Sequence, residues 1–310
     1  MVKPIEFKNV SKTFRHPMKV WDRIEAVKDL SFSMENGEIA GFVGHNGAGK
    51  TTAIKMMMGF IWPTAGEIQV NGKDPGDPDV KKSIGFLPER PYFYSQLSGM
   101  ELLSYFGKLT GIKGTVLRDR SEKLLRRVGL FDDRNRKLSG YSKGMLQRIG
   151  LAQALINDPQ LVIMDEPMSG LDPIGRREVK EIIRSLKREG KSVVFSSHIL
   201  ADIENLSDRV LIIEKGLMKH FGTVPEIVPP DRIRYKIEFN APDEMKDAAF
   251  SLFKGIRVVS NRFVIDCEDL DDFNVKLTSI VQKGYTVHDA GGVYPSLEEI
   301  VFSQSGEVAS

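Results

Sequence analysis

Residues 39–58 read IAGFVGHNGAGKTTAIKMMM, and this stretch decides the fold that the sequence predicts. Its middle part, Gly44–Thr51, fits the pattern G-x-x-x-x-G-K-[ST], in which glycines let backbone N–H groups approach phosphate. The lysine of the pattern reaches the β- and γ-phosphates, and the hydroxyl residue binds Mg²⁺. The apolar run before the loop and the helix formers after it predict a strand, a loop and a helix. We therefore expect a phosphate-binding loop; a glycine-rich turn with an exposed lysine is the alternative.

Two further apolar runs end in polar side chains. Leu161–Met164 is followed by Asp165 and Glu166, and Ser192–Ser197 is followed by His198. Apolar runs of this length between helical segments are typical of buried parallel strands. A P-loop NTPase needs a carboxylate at the end of such a strand to hold Mg²⁺, and this is the role expected of Asp165. Because a proline follows and breaks the strand direction, a solvated turn is the alternative interpretation.

Composition narrows the classes of protein that the chain can belong to. The 310 residues carry a formal net charge of +2, which gives no case for a basic nucleic-acid coat or a polybasic membrane anchor. A single cysteine, Cys267, excludes an intrachain disulfide, fits a reducing cytosol and is expected as a small core residue. No stretch reaches the roughly 18 apolar residues of a membrane span, so we expect membrane contact only through another protein.

The order of the motifs resembles that of the ABC (ATP-binding cassette) ATPases from about Ile5 to Phe221, which is most of the chain. The most specific element resembles the family's signature sequence, and it lies just upstream of the segment similar to Walker B, as in the family. The matching segments are similar to Walker A (Gly44–Thr51), the signature (Tyr141–Met145, followed by Leu146-Gln147-Arg148), Walker B with its following glutamate (Leu161–Glu166), the D-loop (Ser169–Asp172) and the switch histidine (His198).

This resemblance implies an α/β fold, a P-loop NTPase cassette with a mostly parallel core sheet, an antiparallel β subdomain and a helical subdomain. We expect the cassette over residues 1–228, with the helical subdomain at about residues 89–142. After the Val228-Pro229-Pro230 stretch the pattern changes to strand, helix, strand, strand, helix, strand, and the first of these helices is expected at residues 244–253. Residues 229–310 therefore predict a small accessory α+β domain of the ferredoxin-like type.

The resemblance also implies ATP and Mg²⁺ as cofactors and assigns residues to them. Thr51 and Asp165 would hold the ion, Glu166 would be the general base that positions the attacking water, and His198 would hold the γ-phosphate. The phosphate-binding roles fall on Gly44, His45, Asn46, Gly47, Ala48, Gly49, Lys50 and Thr52.

In the family, a second cassette completes the site. That cassette, either another copy of this chain or a related one, would supply the Ser142 hydroxyl and the Gly144 backbone N–H at a helix N-terminus. Phe14 falls where the family usually has an aromatic residue stacked on adenine. A core aromatic at the end of the first strand is the alternative for Phe14, and Trp21 in the same loop is a competitor.

The sequence departs from the family pattern at two of these motifs. Where a glutamine commonly contacts Mg²⁺ and the water, residues 84–88 lead to Glu89, whose carboxylate can still ligate Mg²⁺ but adds negative charge near the γ-phosphate. A simple surface charge is the alternative for Glu89. In the signature, Tyr141, Lys143 and Met145 replace the commoner Leu, Gly and Gln, and a solvent-exposed Lys143 is favoured over one that faces the partner's nucleotide.

The function implied is that of an ATP-hydrolysing subunit that powers transmembrane transport, and export in particular, through a separate integral membrane permease subunit. Pro295–Phe302 is similar to the closing segment of cassettes from bacterial exporters, and Pro91–Tyr94 either receives a helix of the permease or is buried locally. We expect the chain in the cytoplasm, peripheral on the inner face of the cytoplasmic membrane, with no nucleic-acid partner.

Two other classes share parts of this pattern. A soluble ABC ATPase that acts on nucleic acid or ribosomes is the main alternative, and the single cassette and single cysteine argue against it. A small GTPase or a nucleotide kinase would share Walker A, but the sequence has no Asn-Lys-x-Asp motif to read guanine, and neither class needs the Ser142 and Gly144 element.

Overall fold

The computed structural model describes residues 2–15, 23–227, 233–241, 253, 255–259 and 262–295. These residues form two compact units, which divide between Thr223 and Val224. The predicted boundary lay after residue 228. Trp21, nearly all of the predicted helix at residues 244–253 and nearly all of the segment at residues 295–302 lie outside the described residues.

The first unit alternates strands and helices, as the spacing of the apolar runs predicts. Its strands are β1 (Ile5–Arg15), β2 (Arg23–Met34), β3 (Ile39–Val43), β4 (Ala65–Val70), β5 (Ile84–Leu87), β6 (Leu161–Met164), β7 (Ser192–Ser197), β8 (Arg209–Glu214) and β9 (Leu217–Gly222). Its helices are α1 (Lys50–Met57), α2 (Pro78–Ser83), α3 (Gly99–Leu109), α4 (Gly114–Arg127), α5 (Lys143–Ala154), α6 (Pro173–Arg188) and α7 (Leu200–Leu206), with a 3-10 turn at Leu138–Gly140.

The strands form one nine-stranded sheet in the order β4-β1-β2-β9-β8-β3-β7-β6-β5. From β8 to β5 all neighbours are parallel, whereas β1 pairs antiparallel with both β2 and β4. Parallel pairing brings the carboxyl ends of strands to one edge of a sheet. Val43 lies opposite Ser197, and Met164 lies opposite both Leu87 and Phe195. The prediction of a mostly parallel core sheet with an antiparallel β part is confirmed.

A helical part lies between β5 and β6 and contains α3, α4 and α5. Helix α3 begins with a capping box, in which the Ser98 hydroxyl accepts from the Glu101 N–H and the Glu101 carboxylate accepts from the Ser98 N–H. These bonds to the carboxylate, with the ammonium of Lys137 at 3.0 Å, lower the pKa of Glu101 to about 2. The cap fixes the entry of the chain into this part of the fold.

The core of the first unit packs around the strand that precedes the phosphate-binding loop. Every residue of β3 is buried, and the Phe42 side chain is fully enclosed. The rings of Phe32 and Phe42 meet edge to face with centroids 5.5 Å apart, and Phe7 stacks on Phe32 at 4.7 Å. This aromatic packing holds β3 rigidly behind the loop.

The second unit contains a four-stranded antiparallel sheet. Its elements are α8 (Val224–Ile227), β10 (Arg234–Asn240), β11 (Arg257–Val259), β12 (Arg262–Cys267), α9 (Leu270–Gln282) and β13 (Thr286–Val293). The strand order is β11-β12-β10-β13, so β12 lies between β10 and β11 as in a split β-α-β unit. Because the helix expected between β10 and β11 lies outside the described residues, the ferredoxin-like assignment stays a prediction.

Cys267 is buried in the core of the second unit, and burial raises the pKa of its thiol. Across the described residues of both units, none of the helices combines the length and the apolar character that a membrane crossing requires.

We predict that the strand behind the loop carries much of the stability of the first unit. Phe42→Ala should lower the free energy of unfolding by about 3–5 kcal/mol, since it removes a fully enclosed ring and leaves a cavity. Phe60→Ala is the matched control, because that ring is 58% exposed and its loss should cost about 0.5 kcal/mol. Urea unfolding followed by far-ultraviolet circular dichroism measures both values, and equal losses would contradict this description of the core.

Candidate nucleotide-binding site

The loop between β3 and α1 requires glycine at its two ends for different steric reasons. A Cβ atom on Gly44 would lie 2.3 Å from the carbonyl oxygen of Ile213 in β8, which is far inside contact distance. Gly49 caps α1 with a φ of 115°, and a Cβ there would lie 2.5 Å from the carbonyl oxygen of Ala26. Close approach to neighbouring backbone excludes a side chain at both positions, and the left-handed φ of Gly49 favours glycine there as well.

Lys50, the first residue of α1, is buried with its ammonium group inside the loop. Its Nζ donates to the carbonyl oxygens of Gly44 at 2.5 Å and His45 at 3.3 Å, and it lies 3.9 Å from Glu166 Oε1. Burial lowers the pKa of Lys50, and the nearby carboxylates, of which Glu166 has the largest effect, oppose this shift. The ammonium is therefore held within reach of both the loop and the acidic residues beyond β6.

Asp165 follows β6 and lies behind the start of α1. Its backbone N–H donates to the carbonyl oxygen of Leu87 at 2.8 Å, which extends the pairing with β5 by one step. Its Oδ1 accepts from the hydroxyl of Thr51 at 3.4 Å and from that of Ser196 at 2.7 Å. The carboxylate is 5% exposed, so its position is set by these neighbours.

Glu166 has an uncommon backbone conformation for its residue type. Its φ is 50°, in the left-handed region, and its N–H donates to the hydroxyl oxygen of Ser196 at 2.8 Å. Glu166 Oε2 lies 2.8 Å from Nδ1 of His198, which has a half-exposed side chain after β7. One oxygen of the Glu166 carboxylate therefore faces Lys50 and the other faces His198.

A cavity of about 310 Å³ opens in front of these groups. Two of its lining residues were given no role in the site from the sequence: Ala26, and Ser169 of the segment similar to the D-loop. The anticipated residues that line it are His45, Asn46, Gly47, Ala48, Gly49, Lys50, Thr51, Thr52, Glu89, Glu166 and His198. Gly44 and Asp165 lie just behind this wall, where they contact Lys50 and Thr51.

Phe14 is not among the residues that line this cavity. Its ring is 38% exposed at the end of β1, with the ammonium of Lys12 5.2 Å from the ring centroid. Phe14 therefore does not border the phosphate cavity, and its stacking on adenine stays a prediction.

The signature segment begins α5 and does not line the cavity of its own chain. Ser142 is the N-cap, and its exposed hydroxyl accepts from the Met145 N–H at 3.2 Å. Lys143 is exposed in the single chain, and its side chain passes over Gly170. The start of α5 thus presents a hydroxyl and a helix N-terminus to the outside, where another molecule can reach them.

Gln147, which the sequence analysis quoted after the signature without giving it a role, connects this helix to the acidic turn. Its side chain is buried, and Nε2 donates to the carbonyl oxygen of Pro167 at 3.0 Å. Because Pro167 directly follows Glu166, the signature helix and the acidic turn of one chain are joined by a buried hydrogen bond.

The charges of the site fit a divalent cation. Asp165, Glu166 and Glu89 bring three carboxylates near the ammonium of Lys50, which leaves excess negative charge. Thr51 and Asp165 offer adjacent oxygen atoms, the donors that Mg²⁺ prefers. Among the described residues, no three His, Cys, Asp or Glu side chains form a cage that could hold a metal ion. This donor set suits Mg²⁺, which takes one or two protein ligands and completes its shell with phosphate oxygens and water.

Comparisons with known proteins match the part of the chain that forms this site. A family model described as ABC transporter matches residues 27–169, from β2 through the loop and the signature to the turn after β6. The ABC transporter ATP-binding protein NatA of Bacillus subtilis is 37% identical over 74% of this chain and 93% of its own length. This chain belongs to the ABC transporter ATP-binding proteins.

Other members of this ABC ATPase family resemble the cassette in sequence or in fold. An uncharacterized ABC transporter ATP-binding protein of Synechocystis is 44% identical over 73% of this chain, and the match spans 65% of that relative's length, slightly less than two thirds. A dimeric ATP-binding cassette solved in a post-hydrolysis state with ADP and Pi superposes with a TM-score of 0.65 over 71% of this chain and 98% of its own. At 24% identity, that structure supports the fold alone.

Proposed function

We propose that this chain binds ATP with Mg²⁺ and hydrolyses it to drive transport through a separate integral membrane subunit. The observation that carries the proposal is the position of Glu166, whose carboxylate contacts both Lys50 and His198 at the mouth of the phosphate loop. A carboxylate held in this way can accept a proton and orient water, while the ammonium and the loop hold phosphate.

The proposed reaction is attack of water on the γ-phosphorus of ATP. The water oxygen forms the new bond, the bond from phosphorus to the β–γ bridging oxygen breaks, and ADP and phosphate leave. Glu166 takes the proton from the water, His198 keeps the Glu166 carboxylate oriented and reaches the γ-phosphate, and Lys50 binds the β- and γ-phosphates. Bound Mg²⁺, held by Thr51 and Asp165, would neutralise charge on the phosphate oxygens.

Glu89 is proposed to belong to the same site as a further acidic group toward the metal. It lines the cavity, is 48% exposed, and lies 3.9 Å from the guanidinium of Arg90. Since an amide in its place would carry no charge, the carboxylate makes the binding of ATP more dependent on the cation.

A second cassette is proposed to complete the site. The N-terminus of α5, with Ser142 and Gly144, does not line the cavity of its own chain. We propose that it covers the nucleotide bound to a second cassette. The relative with the similar fold is described as a dimer, which supports this arrangement. Both another copy of this chain and a related chain fit the proposal.

A surface in the helical part supports a membrane partner. Tyr92 is 95% exposed and Tyr94 is 58% exposed, and the Tyr94 ring meets Tyr105 edge to face at 6.3 Å. Aromatic side chains are enriched at protein interfaces, where they bury a large area at low entropic cost. We assign this cluster of Tyr92, Tyr94 and Tyr105 to a helix of the permease. The chain would then lie in the cytoplasm against the inner face of the cytoplasmic membrane, with export as the proposed direction.

Replacement of the proposed base should separate binding from chemistry. Glu166→Gln should retain ATP binding but lower turnover by about 10²- to 10⁴-fold, because an amide cannot accept the proton. Glu122→Gln, on the outer face of α4, is the control and should keep wild-type activity. Nucleotide binding and phosphate release measure the two effects. Turnover at the wild-type rate in Glu166→Gln would remove this residue from the mechanism.

Two substitutions at Glu89 separate charge from coordination. Glu89→Gln should preserve or modestly raise ATP affinity at low Mg²⁺, since it removes a negative charge beside the phosphates. Glu89→Ala should lower turnover at every Mg²⁺ concentration, because it removes the ligand as well. ATPase rates across a Mg²⁺ titration measure both. If neither variant changes hydrolysis or its metal dependence, Glu89 is a surface residue and has no part in the site.

The membrane partner can be tested through the tyrosine cluster. The tagged chain should recover an integral membrane polypeptide from native membranes, and Tyr92→Ala should reduce that recovery several-fold through loss of an exposed anchor. Phe60→Ala, another exposed aromatic, should leave recovery unchanged. Recovery of ribosomes or nucleic acid without an integral membrane protein would instead favour the soluble ABC ATPase class.

A further inference from the structure

Ser196 is a fully buried serine in β7, two residues before His198. A serine hydroxyl carries one donor and can accept at its oxygen. Here the O–H donates to Asp165 Oδ1 at 2.7 Å, and the same oxygen accepts from the Glu166 N–H at 2.8 Å. One hydroxyl group therefore binds two consecutive acidic residues, one through its side chain and the other through its backbone.

The sheet register creates this contact. Met164 is paired with Phe195 in the parallel ladder of β6 and β7, so the residues that follow them, Asp165 and Ser196, come side by side. The Asp165 N–H continues the ladder to β5 by donating to the Leu87 carbonyl oxygen, and Glu166, with a φ of 50°, then leaves the strand conformation. Where the ladder between β6 and β7 ends, the Ser196 hydroxyl provides the hydrogen bonds between the two chain segments.

The contact acts on the two groups whose orientation matters most for phosphate chemistry. Asp165 Oδ1, which the hydroxyl holds, is also the oxygen beside the Thr51 hydroxyl at 3.4 Å. Glu166 has a φ of 50°, a conformation that non-glycine residues adopt rarely, and the bond to Ser196 fixes its N–H in that turn. Without the hydroxyl, the Asp165 carboxylate could rotate and the Glu166 N–H would lose its buried acceptor.

We infer that Ser196 is a positioning residue that aligns Asp165 toward Mg²⁺ and Glu166 toward the attacking water, an inference that rests on the proposed function. Ser196 itself does not line the phosphate cavity. Groups that orient metal ligands in this way change metal affinity or activity by about 10- to 100-fold when they are removed. A serine that merely filled space in β7 would have no such effect.

The test compares Ser196→Ala with Ser192→Ala. Ser192 is a buried serine in the same strand, and its hydroxyl accepts from the Gly37 N–H at 3.0 Å. Three quantities are measured for each variant: ATP affinity in EDTA, Mn²⁺ affinity of the nucleotide complex by electron paramagnetic resonance, and kcat and KM at saturating Mg²⁺. Mn²⁺ serves as the spectroscopic substitute for Mg²⁺.

We expect Ser196→Ala to bind ATP in EDTA within about twofold of wild type, because the phosphate loop is intact. Its Mn²⁺ affinity should fall about tenfold and its kcat about tenfold or more, with little change in KM for ATP. Ser192→Ala should match wild type in all three quantities. Wild-type metal affinity and kcat in Ser196→Ala, or equal losses in Ser192→Ala, would overturn the inference.

Failure of the proposed function gives a different result. If the wild-type chain binds ATP and Mn²⁺ but does not hydrolyse ATP, the proposed function fails, and the metal affinity of the two variants still decides the role of Ser196. If Ser196→Ala does not fold, Ser196→Cys replaces it, since the thiol has nearly the same shape but is a weak donor and acceptor. Ser196→Cys should show the same loss of Mn²⁺ affinity, and wild-type affinity in a folded Ser196→Cys would overturn the inference.

Discussion

Parallel pairing of β3 with β7, and of β7 with β6, is the interaction on which the nucleotide site depends. It brings the ends of three buried strands to one edge of the sheet, where the chain continues into the glycine-rich loop, the acidic pair and His198. Lys50 and the carboxylates beyond β6 then lie within ion-pair distance in a partly enclosed space. Lys50 and Glu166 are far apart in sequence, but the register of the parallel strands brings them together.

Much of this site could be predicted from the sequence, because its residues follow apolar runs typical of buried strands and their order resembles that of the ABC ATPases. Gly44 and Gly49 lie where neighbouring backbone leaves no room for a side chain. This steric requirement appears in the sequence as the two glycines of the phosphate-loop pattern. Ser196 and Gln147 could not be found in this way. Each is a buried polar residue whose hydrogen-bond partner is seen only in the folded structure. A serine in a strand or a glutamine in a helix is too common to indicate such a contact. Phe14 lines no part of the phosphate cavity, and its stacking on adenine stays a prediction.

The signature residues at the start of α5 do not line the phosphate cavity of their own chain. The buried bond from Gln147 to Pro167 joins that signature helix to the turn carrying Glu166. A second cassette that pressed on α5 would therefore act on the acidic turn of the first chain, and each site would respond to the nucleotide of the other.

The central claim, that ATP joins the phosphate loop of one cassette to the signature of another, is tested most directly by disulfide cross-linking. The measurement uses Asn46→Cys with Ser142→Cys in a Cys267→Ser background, with a non-hydrolysable ATP analogue and Mg²⁺. We expect a disulfide between two chains with the analogue and none with ADP. The account would be contradicted if no cross-link between chains formed with either the analogue or ADP, and if the ATPase rate of the wild-type chain were strictly linear in protein concentration. That result would indicate a monomeric ATPase.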